Sequence, residues 1–275
     1  MPELPEVETT RRGLERSLKG RTITGVRVLV AKMVKDGSVP AEEVPAQIVG
    51  HRLEEVKRRG KYLILTLDSG YHLLLHLKMR GHLAVGPVTE PDDKYLAVGI
   101  TFDNALEMRF YDIWTWGEVR LLDPDGLASH PSLAAMGVEP LSEFFTTPQL
   151  TEALARRRRT PVKAALLDQT TVAGVGNIYA DESLFRSGIR PDRPSASLNV
   201  AEVDRLRSAV QEILGEAVAG GGTASDDYKD TERRPGRYVP RVYDRGGQQC
   251  PNCGAPLART RIGGRGTVFC ETCQS

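Results

Sequence analysis

Three carboxylates and an imino nitrogen open the chain, in Met1-Pro2-Glu3-Leu4-Pro5-Glu6-Val7-Glu8. Once Met1 is removed, Pro2 carries a free secondary α-amine, which is far less basic than a lysine side chain and substantially neutral near pH 7. A neutral amine is a nucleophile that forms Schiff bases with sugar or carbonyl carbons, and adjacent carboxylates can move the protons. The same residues also suit the first turn of a helix. Proline is tolerated at the first helical position, Glu3 and Glu6 complement the helix dipole, and Leu4, Val7, Leu14 and Leu18 form an apolar stripe. Spacing alone favours the helix cap over a catalytic terminus.

A second constellation stands in the last 26 residues, which hold all four cysteines. Cys250-Pro-Asn-Cys253 is followed, after sixteen residues, by Cys270-Glu-Thr-Cys273. That spacing predicts a zinc ribbon with one structural Zn2+, because four thiolates close a tetrahedral site and leave no open position for catalysis. Clustering of this kind is a metal site rather than a disulfide framework. Arg259, Arg261 and Arg265 fall between the two pairs, on a stretch that reads as a β-hairpin.

The elements that must position these groups are of two kinds. Residues 22–110 read mostly as strands: Ile23–Val30, Arg52–Arg58, Tyr62–Leu67, Leu73–Leu77, and a hairpin of Ala97–Phe102 with Leu106–Tyr111 around Asp103-Asn104. Short strands at close spacing predict a β-sandwich or barrel-like half. Glycine and proline punctuate 123–150 like a linker, and a helical half follows, with helices expected over Thr151–Arg158, Pro161–Leu167 and Val200–Val218. Gly174 and Gly176 permit a tight turn entering a further helix, and Gly220–Tyr228 reads as a mobile loop.

Charged residues at 27% and hydrophobic ones at 40% are ordinary for a soluble globular protein, and 275 residues suffice for one or two domains. No apolar run approaches the roughly 18 residues that span a bilayer, and no signal peptide opens the chain, so no membrane partner is expected. The net charge of +1 conceals an asymmetry: −3 over residues 1–150 and +4 over 151–275. Residues 229–265 hold nine basic side chains to three acidic, where a polyanion would sit if this is not simply a solvated face.

The string Pro2–Glu8 resembles the N-terminus of formamidopyrimidine-DNA glycosylases, the bacterial repair family for oxidised purines. The sister endonuclease VIII family usually reads Pro-Glu-Gly-Pro-Glu, so Leu4 favours the purine branch. Thr171–Glu182, with Gly174-Val175-Gly176-Asn177, resembles the same family's helix–two-turns–helix motif, and the four cysteines follow in the family's order. The resemblance implies that Pro2 is the nucleophile and Glu3 the proton shuttle, with Glu6 fixing the terminus by hydrogen bonding. Lys61, in Arg59-Gly60-Lys61-Tyr62, would sit beside the reacting sugar and its phosphate. Met79 would fill the gap left by an extruded base, Lys163 would lie at the lesion, Asn177 would contact the flanking phosphates, and Arg265 would reach the DNA at the lesion.

The chain departs from the family pattern at Asp112-Ile113-Trp114-Thr115-Trp116-Gly117, where the family usually has Asp-Pro-Arg-Arg-Phe-Gly. Trp116 stands at the phenylalanine position and can stack on a base in its place. Trp114 stands at the arginine position and brings no guanidinium to the orphaned opposite base. Ala224-Ser225-Asp226 also differs from the usual form of the loop that closes over the flipped base.

These readings give an α+β protein: an N-terminal β-sandwich with an N-terminal helix, then a helix–two-turns–helix domain ending in a four-cysteine zinc ribbon. The expected partition is 1–135, a linker over 136–150, 151–228, and 229–275, with DNA between the two halves. The implied function is bifunctional excision of oxidised purines from damaged double-stranded DNA, followed by β,δ-elimination through a Pro2 Schiff base. The chain would act as a monomer in the bacterial cytoplasm, associated with the nucleoid. An oxidised-pyrimidine enzyme of the endonuclease VIII branch and a non-catalytic binder of damaged DNA are the rival readings.

Overall fold

A computed structural model describes residues 1–225 and 228–275. Asp226 and Asp227, which belong to the stretch read as a loop over 220–228, lie outside the described residues. In chain order the first elements are α1 (Leu4–Leu18), β1 (Ile23–Val28), β2 (Val34–Lys35), α2 (Val44–Ile48), β3 (Leu53–Arg59), β4 (Tyr62–Leu67) and β5 (His72–His76). Then come β6 (Gly81–Pro87), β7 (Leu96–Phe102), β8 (Leu106–Asp112), β9 (Glu118–Leu122), α3 (Pro124–Ser129) and α4 (Pro131–Ala134). The chain continues with α5 (Thr147–Ala155), α6 (Val162–Leu167), α7 (Asn177–Ser187), α8 (Val200–Ala219), β10 (Ala258–Ile262) and β11 (Arg265–Phe269). Among the described residues no helix is long and apolar enough to cross a membrane.

Two compact units result: Met1–Ala134 with Gly220–Arg237, and Ala135–Ala219 with Tyr238–Ser275. In the first, a four-stranded sheet ordered β1-β7-β8-β6 and a five-stranded sheet ordered β2-β9-β5-β4-β3 form a sandwich. Val98, Ile100, Met108 and Phe110 of one sheet share a core with Leu63, Leu65, Leu73, Leu75, Val119 and Leu121 of the other. The stripe of α1 enters the same core through Val7, Leu14 and Leu18. β4 reads Tyr-Leu-Ile-Leu-Thr-Leu without alternation because its second face is covered as well. There Ile64, Leu74 and Leu122 meet Leu127 and Leu133 of α3 and α4. Those two helices occupy part of the stretch that punctuation marks as a linker; Asp123 caps α3 by accepting from the Gly126 N–H at 2.7 Å.

The return of Gly220–Arg237 to the first unit departs from a contiguous partition. Its contacts explain it. The Val85 N–H donates to the Thr231 carbonyl at 2.8 Å, and Arg16 pairs with Glu232 at 2.6 Å. Thr231 packs so closely on α1 that a Cβ at Gly13 would lie 2.0 Å from its hydroxyl oxygen. A glycine inside a helix is otherwise unfavourable, so close packing accounts for its place here.

In the second unit, residues 136–150 are packed rather than linking. Val138 forms a parallel bridge with Val172, Phe145 is buried, and α5 starts at Thr147 behind the capping hydroxyl of Thr146. The start precedes the expected Thr151 because Thr146 and Pro148 supply a cap and a first-turn proline. The buried carboxylate of Glu182 on α7 holds the segment after α8. It accepts from the Tyr238 hydroxyl at 3.1 Å and from the backbone of Arg241, Val242 and Tyr243 at 2.8, 2.8 and 2.9 Å. β10 and β11 form the expected hairpin, closed by Gly263 and Gly264 at φ +57° and +76°, the pair a tight hairpin turn requires.

Candidate functional site

Pro2 and Glu3 are buried at the start of α1. Glu3 is the N-cap, and it forms a reciprocal capping box with Glu6. The Glu3 N–H donates to Glu6 Oε2 at 2.9 Å, and the Thr223 N–H donates to Glu6 Oε1 at 2.8 Å. Tyr228 also donates its hydroxyl to the Glu6 carbonyl at 3.1 Å. Both Glu6 oxygens are thereby held, one by the terminus and one by the loop that follows α8. Gly222 sits at φ +96°, where a Cβ would lie 2.7 Å from the Tyr228 ring and 3.2 Å from the Glu6 side chain. The geometry fits Glu6 as the joint that positions the terminus. Glu8 is engaged elsewhere, within 2.8–3.2 Å of Arg11, Arg12 and Arg58.

Lys61 is buried at the β3–β4 turn, where Gly60 takes φ +54°. α1 packs on β3 and β4, so the hairpin carrying Lys61 abuts the N-terminal helix. Next to Lys61 is His76, which sequence reasoning gave no role. Burial, reinforced by Lys78 and Lys61, pushes its pKa down to about 3. The Lys78 N–H donates to His76 Nδ1 at 2.9 Å, so the neutral ring carries its proton on Nε2.

Met79 is half-buried in the β5–β6 connection. Its neighbour Arg80 places a guanidinium 5.7 Å from the centre of the Trp114 ring. Trp114 and Trp116 are 41% and 57% exposed, with ring centres 4.9 Å apart. Their loop is held by one carboxylate that the sequence did not mark out. Buried Asp112 accepts from the backbone N–H groups of Trp114, Trp116 and Gly117 at 3.0, 2.8 and 2.7 Å. The rings are thus presented on a rigid loop rather than packed into the core.

In the second unit, Lys163 departs from the DNA-facing position expected of it. It is fully buried, and its ammonium reaches Asp181 Oδ1 at 2.7 Å, the Gly266 carbonyl at 2.9 Å and Thr267 Oγ1 at 2.8 Å. These three acceptors surround the ammonium, which has three protons to donate. Asn177 opens α7 and donates its side-chain amide to the same Gly266 carbonyl at 3.1 Å. Asp181 completes the anchor by accepting from the Val268 N–H at 3.1 Å. Lys163, Asn177 and Asp181 together fasten the strand that begins with exposed Arg265.

The four cysteine sulfurs lie within 4.8 Å of one another. Cys250 Sγ is 3.9 Å from Cys273 Sγ, and Cys253 Sγ is 3.5 Å from Cys270 Sγ. Tetrahedral zinc with Zn–S bonds near 2.3 Å requires edges of about 3.8 Å, which these distances bracket. The donor set fits one structural Zn2+ held by Cys250, Cys253, Cys270 and Cys273.

Three family models match the chain in order. The formamidopyrimidine-DNA glycosylase N-terminal domain covers residues 1–119, the H2TH domain of the same glycosylase 136–228, and the zinc finger found in FPG and IleRS 247–275. The formamidopyrimidine-DNA glycosylase of Acidithiobacillus ferrooxidans is 42% identical over 277 residues, covering 100% of both chains. That of Pelotomaculum thermopropionicum is 40% identical over 276 residues, covering 100% of this chain and 99% of the relative. Among solved structures, Lactococcus lactis Fpg (MutM) in complex with DNA containing N7-benzyl-Fapy-dG superposes with a TM-score of 0.91 at 31% identity, covering 100% of each chain. MutM (FPG) from Thermus thermophilus gives 0.87 at 39% identity, covering 99% of this chain and 98% of that one. The chain belongs to the formamidopyrimidine-DNA glycosylase family.

Proposed function

We propose that this protein excises oxidised purines from duplex DNA and then cuts the strand at the abasic site, acting as a monomer in the bacterial cytoplasm. The observation that carries the reading is the buried Pro2, set against the Glu3–Glu6 cap, in a chain whose residues 1–119, 136–228 and 247–275 match the family's domains. The damaged purine leaves the stack first, since its sugar carbon is unreachable within the duplex. Met79 fills the gap and Trp116 stacks on the neighbouring base. The Pro2 nitrogen lone pair attacks C1′, and the base departs with the glycosidic electron pair and takes up a proton. Glu3 protonates O4′ as the sugar ring opens, leaving an iminium between Pro2 and C1′. Loss of the C2′ proton expels the 3′ phosphate, and a second elimination expels the 5′ phosphate. Lys61 and Arg265 stabilise the charge on these leaving groups, and Asn177 holds a flanking phosphate. Water finally hydrolyses the iminium and frees Pro2.

Base release from duplexes containing a single 8-oxoguanine or a single oxidised pyrimidine tests the substrate class. The reading expects purine release at least about tenfold faster, a difference of about 1.4 kcal/mol in the barrier. Faster pyrimidine release would assign the chain to the endonuclease VIII branch.

Trp114 sets the opposite-base rule in this account. A guanidinium paired with a base edge is worth about 1–3 kcal/mol of discrimination, or roughly 5–150-fold, and an indole cannot supply it. Excision opposite cytosine and opposite adenine should therefore differ by less than about fivefold in the wild type, and Trp114→Arg should widen the ratio. Strong cytosine preference in the wild type would contradict this assignment.

A further inference from the structure

At the β6 edge of the four-stranded sheet lies a cavity of about 270 Å3, lined by Arg80, His82, Tyr95, Tyr111, Lys229 and Arg233. All six belong to the first unit. Two carboxylates, Asp93 and Asp112, also reach its wall. Against Arg80, Lys229 and Arg233 they leave the lining with one positive charge in excess, and both are held by backbone N–H groups. Asp112 is committed to the three N–H groups of the tryptophan loop, and Asp93 Oδ1 accepts from the Tyr95 N–H at 3.0 Å. Arg233 pairs with Glu90, and its Nη2 lies 3.4 Å from the Tyr111 hydroxyl. The ammonium of exposed Lys229 has neither hydrogen bond nor ion pair among the described residues.

The remaining wall suits an anion with several acceptor oxygens. His82 stacks on Tyr111 with ring centres 5.0 Å apart and planes 16° apart. Burial, then Arg233, holds the imidazole below its ordinary pKa, so it stays neutral and offers one N–H donor. Arg233 takes φ +63°, a left-handed conformation that costs a non-glycine residue about 1 kcal/mol and is found where surroundings hold a functional side chain in place. Arg80 joins this cavity to the tryptophan loop, because its guanidinium also lies over the Trp114 ring. A base stacked on the tryptophans would bring its own backbone to the cavity.

We propose that this cavity is a subsite for one phosphodiester of the DNA strand that meets Trp114 and Trp116. Arg80, Lys229 and Arg233 supply the charge, and His82 and the tyrosines supply neutral donors. The proposal rests on the DNA-acting reading above and adds to it a specific phosphate contact outside the residues assigned to the chemistry.

Each neutralised phosphate contributes about 0.9 to the slope of log K against log salt. The test measures the affinity of the full, zinc-loaded protein for a duplex with a stable abasic analogue, between about 50 and 200 mM salt. Lys229→Gln should make the slope shallower by about 0.9, and Lys229→Arg should restore it. Arg80→Gln, from a separate segment, should give the same loss. An unchanged slope in Lys229→Gln and Arg80→Gln, with wild type binding the duplex, overturns the subsite and leaves the glycosylase reading intact. Failure of wild type to prefer the abasic duplex over an undamaged one would instead sink that reading, and the subsite with it. Quenching of the tryptophans by inorganic phosphate alone, lost in Lys229→Gln, would assign the cavity to free phosphate and overturn the DNA subsite.

Discussion

Removal of zinc from Cys250, Cys253, Cys270 and Cys273 is expected to melt the β10–β11 hairpin and abolish strand cutting. Apart from the polar anchor of Lys163, Asn177 and Asp181 on β11, the ribbon rests on a small apolar cluster. Its apolar cluster comprises Phe185, Val242, Leu257 and Val268 with Cys250 and Cys270, so two of its buried members are themselves metal ligands. A core of that size cannot offset the entropy of ordering the residues from 247 to 275. Structural zinc in comparable small fingers contributes about 10–16 kcal/mol of apparent folding free energy. Loss of one thiolate in Cys270→Ser should therefore release the metal and expose the amides of residues 258–269 to rapid hydrogen exchange. Wild type should bind one zinc per chain. Persistent protection of those amides in a metal-free protein would show that the hairpin folds without the ion.

Lys163→Met should be among the most destabilising single substitutions in the second unit. The methionine keeps the volume but leaves the Asp181 carboxylate buried without its cation, and deprives the Gly266 carbonyl and Thr267 of a donor. Breaking one side of a buried ion pair costs about 3–5 kcal/mol, whereas replacing both partners with apolar groups is often neutral. At roughly 2–4 °C per kcal/mol for a protein of this size, the melting temperature should fall by on the order of 10 °C. Lys163→Met with Asp181→Leu should recover most of that loss. The pH dependence has a definite sign. Burial, opposed by Lys163, raises the Asp181 pKa from 3.8 to about 6. A carboxyl whose folded pKa is raised binds protons more tightly in the folded state, so stability falls as pH rises from about 4 to about 6. Without Lys163 the carboxyl titrates higher still, and the penalty of Lys163→Met should be larger at pH 8 than at pH 5. Equal losses at both pH values would contradict the burial of an unpaired carboxylate.

The elements with a strong local signal were legible in the sequence. The α1 stripe, the β3–β4 and β7–β8 hairpins and the four-cysteine ribbon each rest on residues close together in the chain. β6 and β9 were not, since Gly81–Pro87 and Glu118–Leu122 show their burial only once partner strands are present. The stretch around Gly137 and Pro140 has linker composition, yet a Cβ at Gly137 would lie within 2.6 Å of the Thr170 and Thr171 backbone oxygens. Glycine there serves close packing rather than freedom.

The candidate site divides the same way. Residue types at the terminus and the ribbon pointed to their chemistry, and the resemblance added Lys61, Met79 and Asn177. Local pattern could not reveal that Lys163 is enclosed, because its three partners lie at Asp181, Gly266 and Thr267. Nor could it reveal that Gly220–Arg237 returns to the first unit, which is a tertiary fact. Asp112, by contrast, fixes the tryptophan loop through contacts two, four and five residues ahead. The signal available for Asp112 was its place two residues before Trp114, the spacing at which an aspartate side chain accepts from the backbone ahead of it.

The central claim is that the Pro2 nitrogen becomes covalently bonded to the sugar. Borohydride added during reaction with a duplex containing one 8-oxoguanine opposite cytosine would reduce the iminium to a stable amine. Mass spectrometry of the digested adduct then locates the bond. The account predicts a cross-link that depends on the lesion and resides on a peptide beginning at Pro2, with Met1 absent. A cross-link on Lys61, retention of Met1 in active protein, or tight binding of the damaged duplex with no adduct would contradict it.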